Sequence, residues 1–178
     1  MKTQHYWSIV WLLVLSPFAS IWAQQLTASE VKRMAQQAKQ VTIIRDNWGI
    51  AHVYGKTDAD AVFGMLYAQC EDDFKRVEMN YIDKLGRLAE IKGAGVLYND
   101  LETRLLIDAE EAKADYKKAA PWLKKLMNSY ADAINYYLYK HPEVKPLLLT
   151  RFEPWFPLLW TDGSIGAIST ADLSTGEL

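Results

Sequence analysis

The chain has 178 residues, half of them hydrophobic, with 20 Lys and Arg against 22 Asp and Glu for a net charge of −2. That is about one domain's worth of chain, long enough to bury a core. Charges of both signs are interspersed, which excludes a basic face for nucleic acid and an acidic block of the kind found in disordered tails.

The N-terminus reads as a targeting segment. Lys2 gives a positive start, and Ile9 to Phe18 is a mostly apolar core interrupted by Ser16 and Pro17. A spanning helix needs about 20 apolar residues, so this is a signal peptide over residues 1–23 with Gln24 as the mature start. Export is then expected, to the periplasm or the medium, with no membrane attachment after cleavage. Cys70 is the only cysteine. An exported chain with one cysteine has no internal disulfide, so packing or a partner chain must stabilise it. Seven Trp and ten Tyr are many for this length. Aromatics dominate cores and interfaces, which points to packing against another chain.

Thr27 and Glu30 form a capping box that opens a helix from Ala28 to about Lys39. Val41 to Arg45 is β-rich; Asp46-Asn47-Trp48-Gly49 supplies turn chemistry, and Ile50 to Tyr54 returns as the second strand of a hairpin. A lone hairpin is marginal in water, so these strands are expected to join a larger sheet. Thr57 is an N-cap with Asp58 and Asp60 in the first turn. From there a long helix runs with Val62, Met65, Leu66 and Gln69 on one face, and Phe74, Val77, Tyr81 and Leu85 continue an apolar stripe. Gly86 and Gly93 mark its end or a bend before it. A second helix is expected from about Asp100 to Lys118, and a third from Pro121 to Lys140, stopped by His141-Pro142 and Lys145-Pro146. The prolines of Phe152-Glu153-Pro154-Trp155-Phe156-Pro157 forbid regular helix. The fold class is mainly α with a short β-hairpin.

Catalytic and metal constellations are sparse. The mature chain has His52 in a strand and His141 at a helix end, with no spacing that ties either to a second metal ligand. Glu71-Asp72-Asp73 point around the helix cylinder and read as a solvated or salt-bridged face. Gly163-Ser164-Ile165-Gly166 lacks the glycine two residues before the serine that a nucleophile elbow needs. Cys70 sits among apolar neighbours and reads as a small buried hydrophobe. Arg45-Asp46 reads as a structural pair tying the hairpin to a neighbouring helix, and Arg104 four residues after Asp100 invites the same reading. No nucleophile and base pair is found.

Several blocks in order go further. Ile44 to Tyr54 reads I-R-D-N-W-G-I-A-H-V-Y. Phe63-Gly64, Tyr67-Ala68-Gln69 and Asp72 come next, then Glu78-Met79, then Gly86-Arg87-Leu88-Ala89-Glu90, and finally Phe152-Glu153-Pro154-Trp155. Together they resemble the α-chain region of the penicillin amidase family, the penicillin and acyl-homoserine-lactone acylases, over about Val41 to Trp160. The chain departs from the family at Tyr54-Gly55 and at Asp73, where the family usually has arginine.

The resemblance implies that residues 24–178 are a truncated α-chain region, a fragment of an αββα N-terminal-nucleophile hydrolase. It implies an exported precursor that cuts itself into an α chain and a larger β chain, whose new N-terminal serine attacks N-acyl amides such as β-lactam antibiotics or acyl-homoserine lactones. The partner is then the β chain of the same precursor. No catalytic residue is assigned to this chain, and no cofactor is implied for catalysis. The segment Trp160 to Ser169 is implied in the acyl pocket, without individual contacts. A structural calcium is also implied, with Glu177 as its ligand on this chain. The alternative from another class is a non-catalytic exported helical module that binds a partner through its aromatic face.

Overall fold

The structure, a computed structural model, describes residues 26–159. The leader, the run Gly163 to Gly166, the Trp160-to-Ser169 segment and Glu177 lie outside the described residues.

Local chemistry sets the first elements. Helix α1 (Ala28–Ala38) begins at the expected capping box: Thr27 Oγ1 accepts from the Glu30 amide at 3.2 Å, and the Glu30 carboxylate accepts from the Thr27 amide at 2.7 Å. Strands β1 (Val41–Arg45) and β2 (Ala51–Gly55) pair antiparallel, with Ile43 opposite Val53 and Ile44 opposite His52. Asp46 builds the turn, accepting from the amides of Trp48 and Ile50 at 2.9 and 3.0 Å, and Gly49 takes φ +81°.

Helix α2 (Asp58–Lys84) is the spine of the fold. It opens with a second capping box, Thr57 with Asp60. One face of the hairpin lies on it. A Cβ on Gly64 would stand 2.5 Å from Cγ1 of both Val41 and Val53, so the absent side chain is what lets the strands approach. The opposite face of the hairpin, Thr42, Ile44, His52 and Tyr54, is exposed.

Two expectations for this helix need correction. Leu66 is buried as expected, but Met65 and Gln69 are exposed; Phe63 and Cys70 complete the buried stripe with Leu66, because the hairpin and the last long helix approach α2 from that side. The helix is also not continuous: Asp73 has φ −161° and ψ 77°, and its carboxylate accepts from the Arg76 amide at 3.1 Å. An aspartate in that geometry caps the second half of the helix as it would cap a helix start.

Gly86 takes φ +61° and ends α2, as its sequence position suggests. Helix α3 (Ala89–Lys92) and a 3₁₀ turn (Ala94–Val96) lead into α4 (Leu97–Leu106), α5 (Ala109–Lys118) and α6 (Pro121–Lys140). The single helix expected over 100–118 is therefore two. Ile107 is extended, and the Asp108 carboxylate accepts from the amides of Glu110 and Glu111 at 2.7 and 3.4 Å. Asp competes with the helix interior for backbone donors and gains more as a cap.

The core lies where α2 meets α6 and the segment ending in a 3₁₀ turn at Phe156–Leu159. Phe74, Tyr81 and Ile82 of α2 meet Ile134 and Tyr137 of α6, with Phe152 and Phe156 between them. Ring centroids run 5.8 Å from Phe74 to Tyr137, 5.7 Å from Tyr81 to Phe152 and 5.4 Å from Tyr81 to Phe156. Among the described residues no helix is long and apolar enough to cross a membrane.

Candidate functional site

Three polar constructions stand out, and the first two turn on the backbone of another segment. The first fixes residues 147–152. Glu78, on α2, is fully buried, and its two carboxylate oxygens accept from the amides of Leu147, Leu148 and Leu149 at 2.8, 2.7 and 2.8 Å. Asn135, on α6, is also buried. Its side-chain amide donates to the Phe152 carbonyl at 2.8 Å and its oxygen accepts from the Phe152 amide at 2.9 Å. This is the pairing a β-strand would give, supplied by one side chain. Arg151 reaches back to α1 and donates to Glu30 at 2.6 Å. That bond and the Thr27 donors hold the Glu30 carboxyl down at about 2. The proline-tryptophan segment is thus clasped from α1, α2 and α6 although it is not itself regular helix.

The second construction joins the hairpin to α2. Arg45 donates to Glu71 at 3.1 Å and pairs with Asp72 at 2.8 Å, and it also donates to the carbonyls of Gly49 and Ala68. A cation at the carbonyl end of the first half of α2 is favoured by the helix dipole. Arg45 does tie hairpin to helix, as its position suggests, but its partners are Glu71 and Asp72 rather than Asp46. Asp46 instead faces His52 at 3.2 Å, and that contact, with the turn amides, lowers its carboxyl below the usual range. Arg104 and Asp100 likewise do not pair with each other. Asp100 accepts from the amides of Leu88 and Ala89 at 2.8 and 2.7 Å, and Arg104 Nε donates to the Gly86 carbonyl at 2.9 Å. Sequence spacing found both residues but not their partners, because a bent loop offers better-placed backbone groups, amides for Asp100 and a carbonyl for Arg104, than an i,i+4 neighbour.

The third lies at the kink of α2. A cleft of roughly 430 Å³ is lined by Cys70, Asp73, Phe74, Tyr137, Glu143 and Lys145, among others. Beside it runs a hydrogen-bonded chain: the Tyr67 hydroxyl contacts His141 Nε2 at 3.4 Å, and His141 Nδ1 contacts Glu143 at 2.9 Å. This order of residues is that of a proton relay, but its phenol end does not suit one, nor does the cysteine beside it. Burial pushes the Tyr67 phenol up, away from reactivity. Cys70 is 1% exposed, and burial pushes its thiol up to about 12. A thiol held there supplies no thiolate at neutral pH. Among the described residues there is no group of three or more His, Cys, Asp or Glu arranged to hold a metal. The described residues therefore bring together no nucleophile with a base, and Glu177 lies beyond them. In the sequence Glu78 shows only as part of a motif; its contacts, some 70 residues away, leave no local signal.

Comparison with known proteins gives these blocks a context. The family model for penicillin amidase matches residues 40–173. Acyl-homoserine lactone acylase QuiP of Pseudomonas aeruginosa is 30% identical over 133 residues, which are 72% of this chain and 16% of that protein. Penicillin acylase 2 proenzyme of a Pseudomonas species is 28% identical over 120 residues, 66% of this chain and again 16% of the relative. Among solved structures, the thermostable penicillin G acylase from Alcaligenes faecalis superposes with a TM-score of 0.64 at 20% identity, over 75% of this chain and 76% of that one. The likeness is one of fold. The chain spans about one sixth of the length of the curated relatives it matches. With the motif blocks in order along one helical fold and the family model matching most of its length, the chain belongs to the penicillin amidase family.

Proposed function

We propose that this chain is the α-chain part of an exported, self-processing acylase. In this reading the enzyme hydrolyses the amide bond of N-acyl substrates, such as β-lactam antibiotics or acyl-homoserine lactones. The observation that carries it is a pair of lengths. The curated relatives are about six times longer than the region they share with this chain, and one of them is named as a proenzyme. The solved penicillin G acylase chain that superposes on it is far shorter than those relatives, since the region shared with this chain covers 76% of it but only 16% of them. Long relatives, one of them named a proenzyme, and a short solved chain of the same fold support cleavage.

The chemistry then sits elsewhere. A serine hydroxyl needs an adjacent base, and an N-terminal amine, which titrates near neutral pH, provides one when cleavage exposes it. The serine attacks the amide carbonyl, the amine leaves, and water releases the acyl group from the ester. This chain contributes scaffold. Its clasped 147–159 segment leads into the residues implied in the acyl pocket, and the hairpin, a two-stranded sheet among the described residues, has strand edges available to extend a larger sheet. Export rests on the reading of residues 1–23 as a signal peptide.

The test is to express the full reading frame, purify the exported product and sequence the N-terminus of every band. A second chain beginning with Ser, Cys or Thr is expected and names the nucleophile. A single uncut chain refutes self-processing and leaves an exported binding module.

A further inference from the structure

Helix α4 exposes its large apolar side chains and buries an aspartate. At about 100° per residue, Leu97, Leu101, Leu105 and Tyr98 fall within one arc roughly a quarter of the way around the helix. All four face outward and are 48%, 55%, 85% and 79% exposed. The residue buried on the inner side is Asp100. It cannot exchange places with the leucines, because its carboxylate holds the amides of Leu88 and Ala89. Arg104 adds a second tether through the Gly86 carbonyl. The fit there is close: a Cβ on Gly86 would stand 2.6 Å from Arg104 Cγ and 2.8 Å from the Asp100 carbonyl oxygen. The polar contacts fix the rotation of the helix, and that rotation leaves these four side chains outward, with Leu106 also exposed, outside their arc.

We propose that the Leu97–Tyr98–Leu101–Leu105 face of α4 docks into an apolar groove on the remaining, larger part of the same polypeptide; this rests on the reading of the chain as one part of a longer precursor. A contiguous apolar stripe with anchors three, four and seven residues apart is what a helix lays into such a groove. Length identifies the occupant. About five sixths of each curated relative lies beyond the region matched here, more than enough to build a groove over a ten-residue helix. Other occupants fit less well. A stable dimer needs about 800 Å² per partner, more than four side chains on one short helix provide alone. A membrane surface favours a basic helix, and α4 carries Asp100 and Glu102 against a single Arg104 that is already bonded to a carbonyl.

The test is thiol labelling on the product of the full reading frame. Leu105→Cys places a thiol in the stripe at its most exposed position, against a background in which Cys70 is buried. Its maleimide reaction is timed in buffer and in urea. A native rate more than about tenfold below the unfolded rate is expected for a covered face; a smaller ratio overturns the proposal. Protection that disappears on dilution to the monomer assigns the face to a second copy and also overturns it. Tyr98→Cys replaces Leu105→Cys should the latter not fold. N-terminal sequencing of the same sample reads processing separately. An uncut product with a protected thiol keeps the docking surface and sinks self-processing, and a cut product with a free thiol does the reverse.

Discussion

Replacing Glu78 by glutamine exchanges one oxygen for an amide nitrogen, so the substitution probes hydrogen bonding rather than volume. The side chain is fully buried and receives three backbone donors, Leu147 on one oxygen and Leu148 and Leu149 on the other. Glutamine keeps one acceptor oxygen. Oriented to serve Leu148 and Leu149, it turns an amide N–H toward the Leu147 N–H, so a donor meets a donor. One bond is lost with its donor left unsatisfied, a cost of about 1–3 kcal/mol, and the two that remain lose their charge assistance. The sum is about 2–4 kcal/mol, which is large against a total domain stability of about 5–15 kcal/mol. Amide hydrogen exchange in the full-length protein reads it directly. At about 1.4 kcal/mol per factor of ten, the amides of Leu148 and Leu149 should exchange roughly 30- to 1000-fold faster in Glu78→Gln. Unchanged exchange at those amides would show that the clasp is incidental.

Further substitutions test other contacts. Gly55→Ala puts a Cβ 2.3 Å from the Ala61 amide nitrogen and 2.7 Å from the Asp60 carbonyl carbon, backbone atoms that cannot swing aside. It should lower stability by about 1–3 kcal/mol in urea unfolding. Gly49→Ala meets only open space and carries the cost of positive φ alone, about 1 kcal/mol, so the reverse order of the two would refute the packing argument. Cys70 should stay silent to a thiol reagent at pH 8 in the native protein and react after unfolding, because burial holds it at about 12; fast native labelling contradicts that environment. Glu30 sits at about 2 in the folded chain against 4.5 ordinarily, chiefly through its bond to Arg151. A lowered carboxyl adds stability that is present above pH 4.5 and is lost as pH falls toward 2. Stability of Glu30→Gln should therefore change less across that window than that of the parent, and parallel acid curves would dismiss the linkage.

What could be read without the structure was local. Thr27 with Glu30 announces a helix because both halves of the capping box lie within one turn. The hairpin shows in Asp46 to Gly49 because turn chemistry needs only four residues. The break between α4 and α5 carried a local signal as well: Asp108 followed by Glu110 and Glu111 is a cap followed by an acidic first turn, but no glycine or proline interrupts the apparent run. The kink at Asp73 hid in the same way, inside a helical pattern that continues on both sides. Rotation of α2 was only half legible. Of the face expected through Val62, Met65, Leu66 and Gln69, Leu66 is buried while Met65 and Gln69 are exposed, and the choice of the stripe through Phe63, Leu66 and Cys70 belongs to the hairpin and α6. Glu78 and Asn135 were illegible as clasps, since their partners are 69 to 71 and 17 residues away and are main-chain atoms of any residue type.

The candidate site divides along the same line. Glu78, Asp100 and Asn135 are buried, and each has its bonds committed to backbone groups of another segment. A carboxylate in that state cannot carry protons for a reaction without releasing the segment it holds. Asp73 and Asp108 are occupied in capping helices, and Arg45 in joining the hairpin to α2. The one sulfur nucleophile is held as a thiol. These polar groups of residues 26–159 are thus engaged in fixing the shape of the 147–159 segment, the course of the helices and the angle of the hairpin. In the proposed acylase, substitutions at these positions should reduce the yield of folded, processed enzyme while each surviving molecule turns over at close to the parental kcat. A variant such as Asn135→Asp that folds and processes normally yet loses kcat would place chemistry in this chain after all.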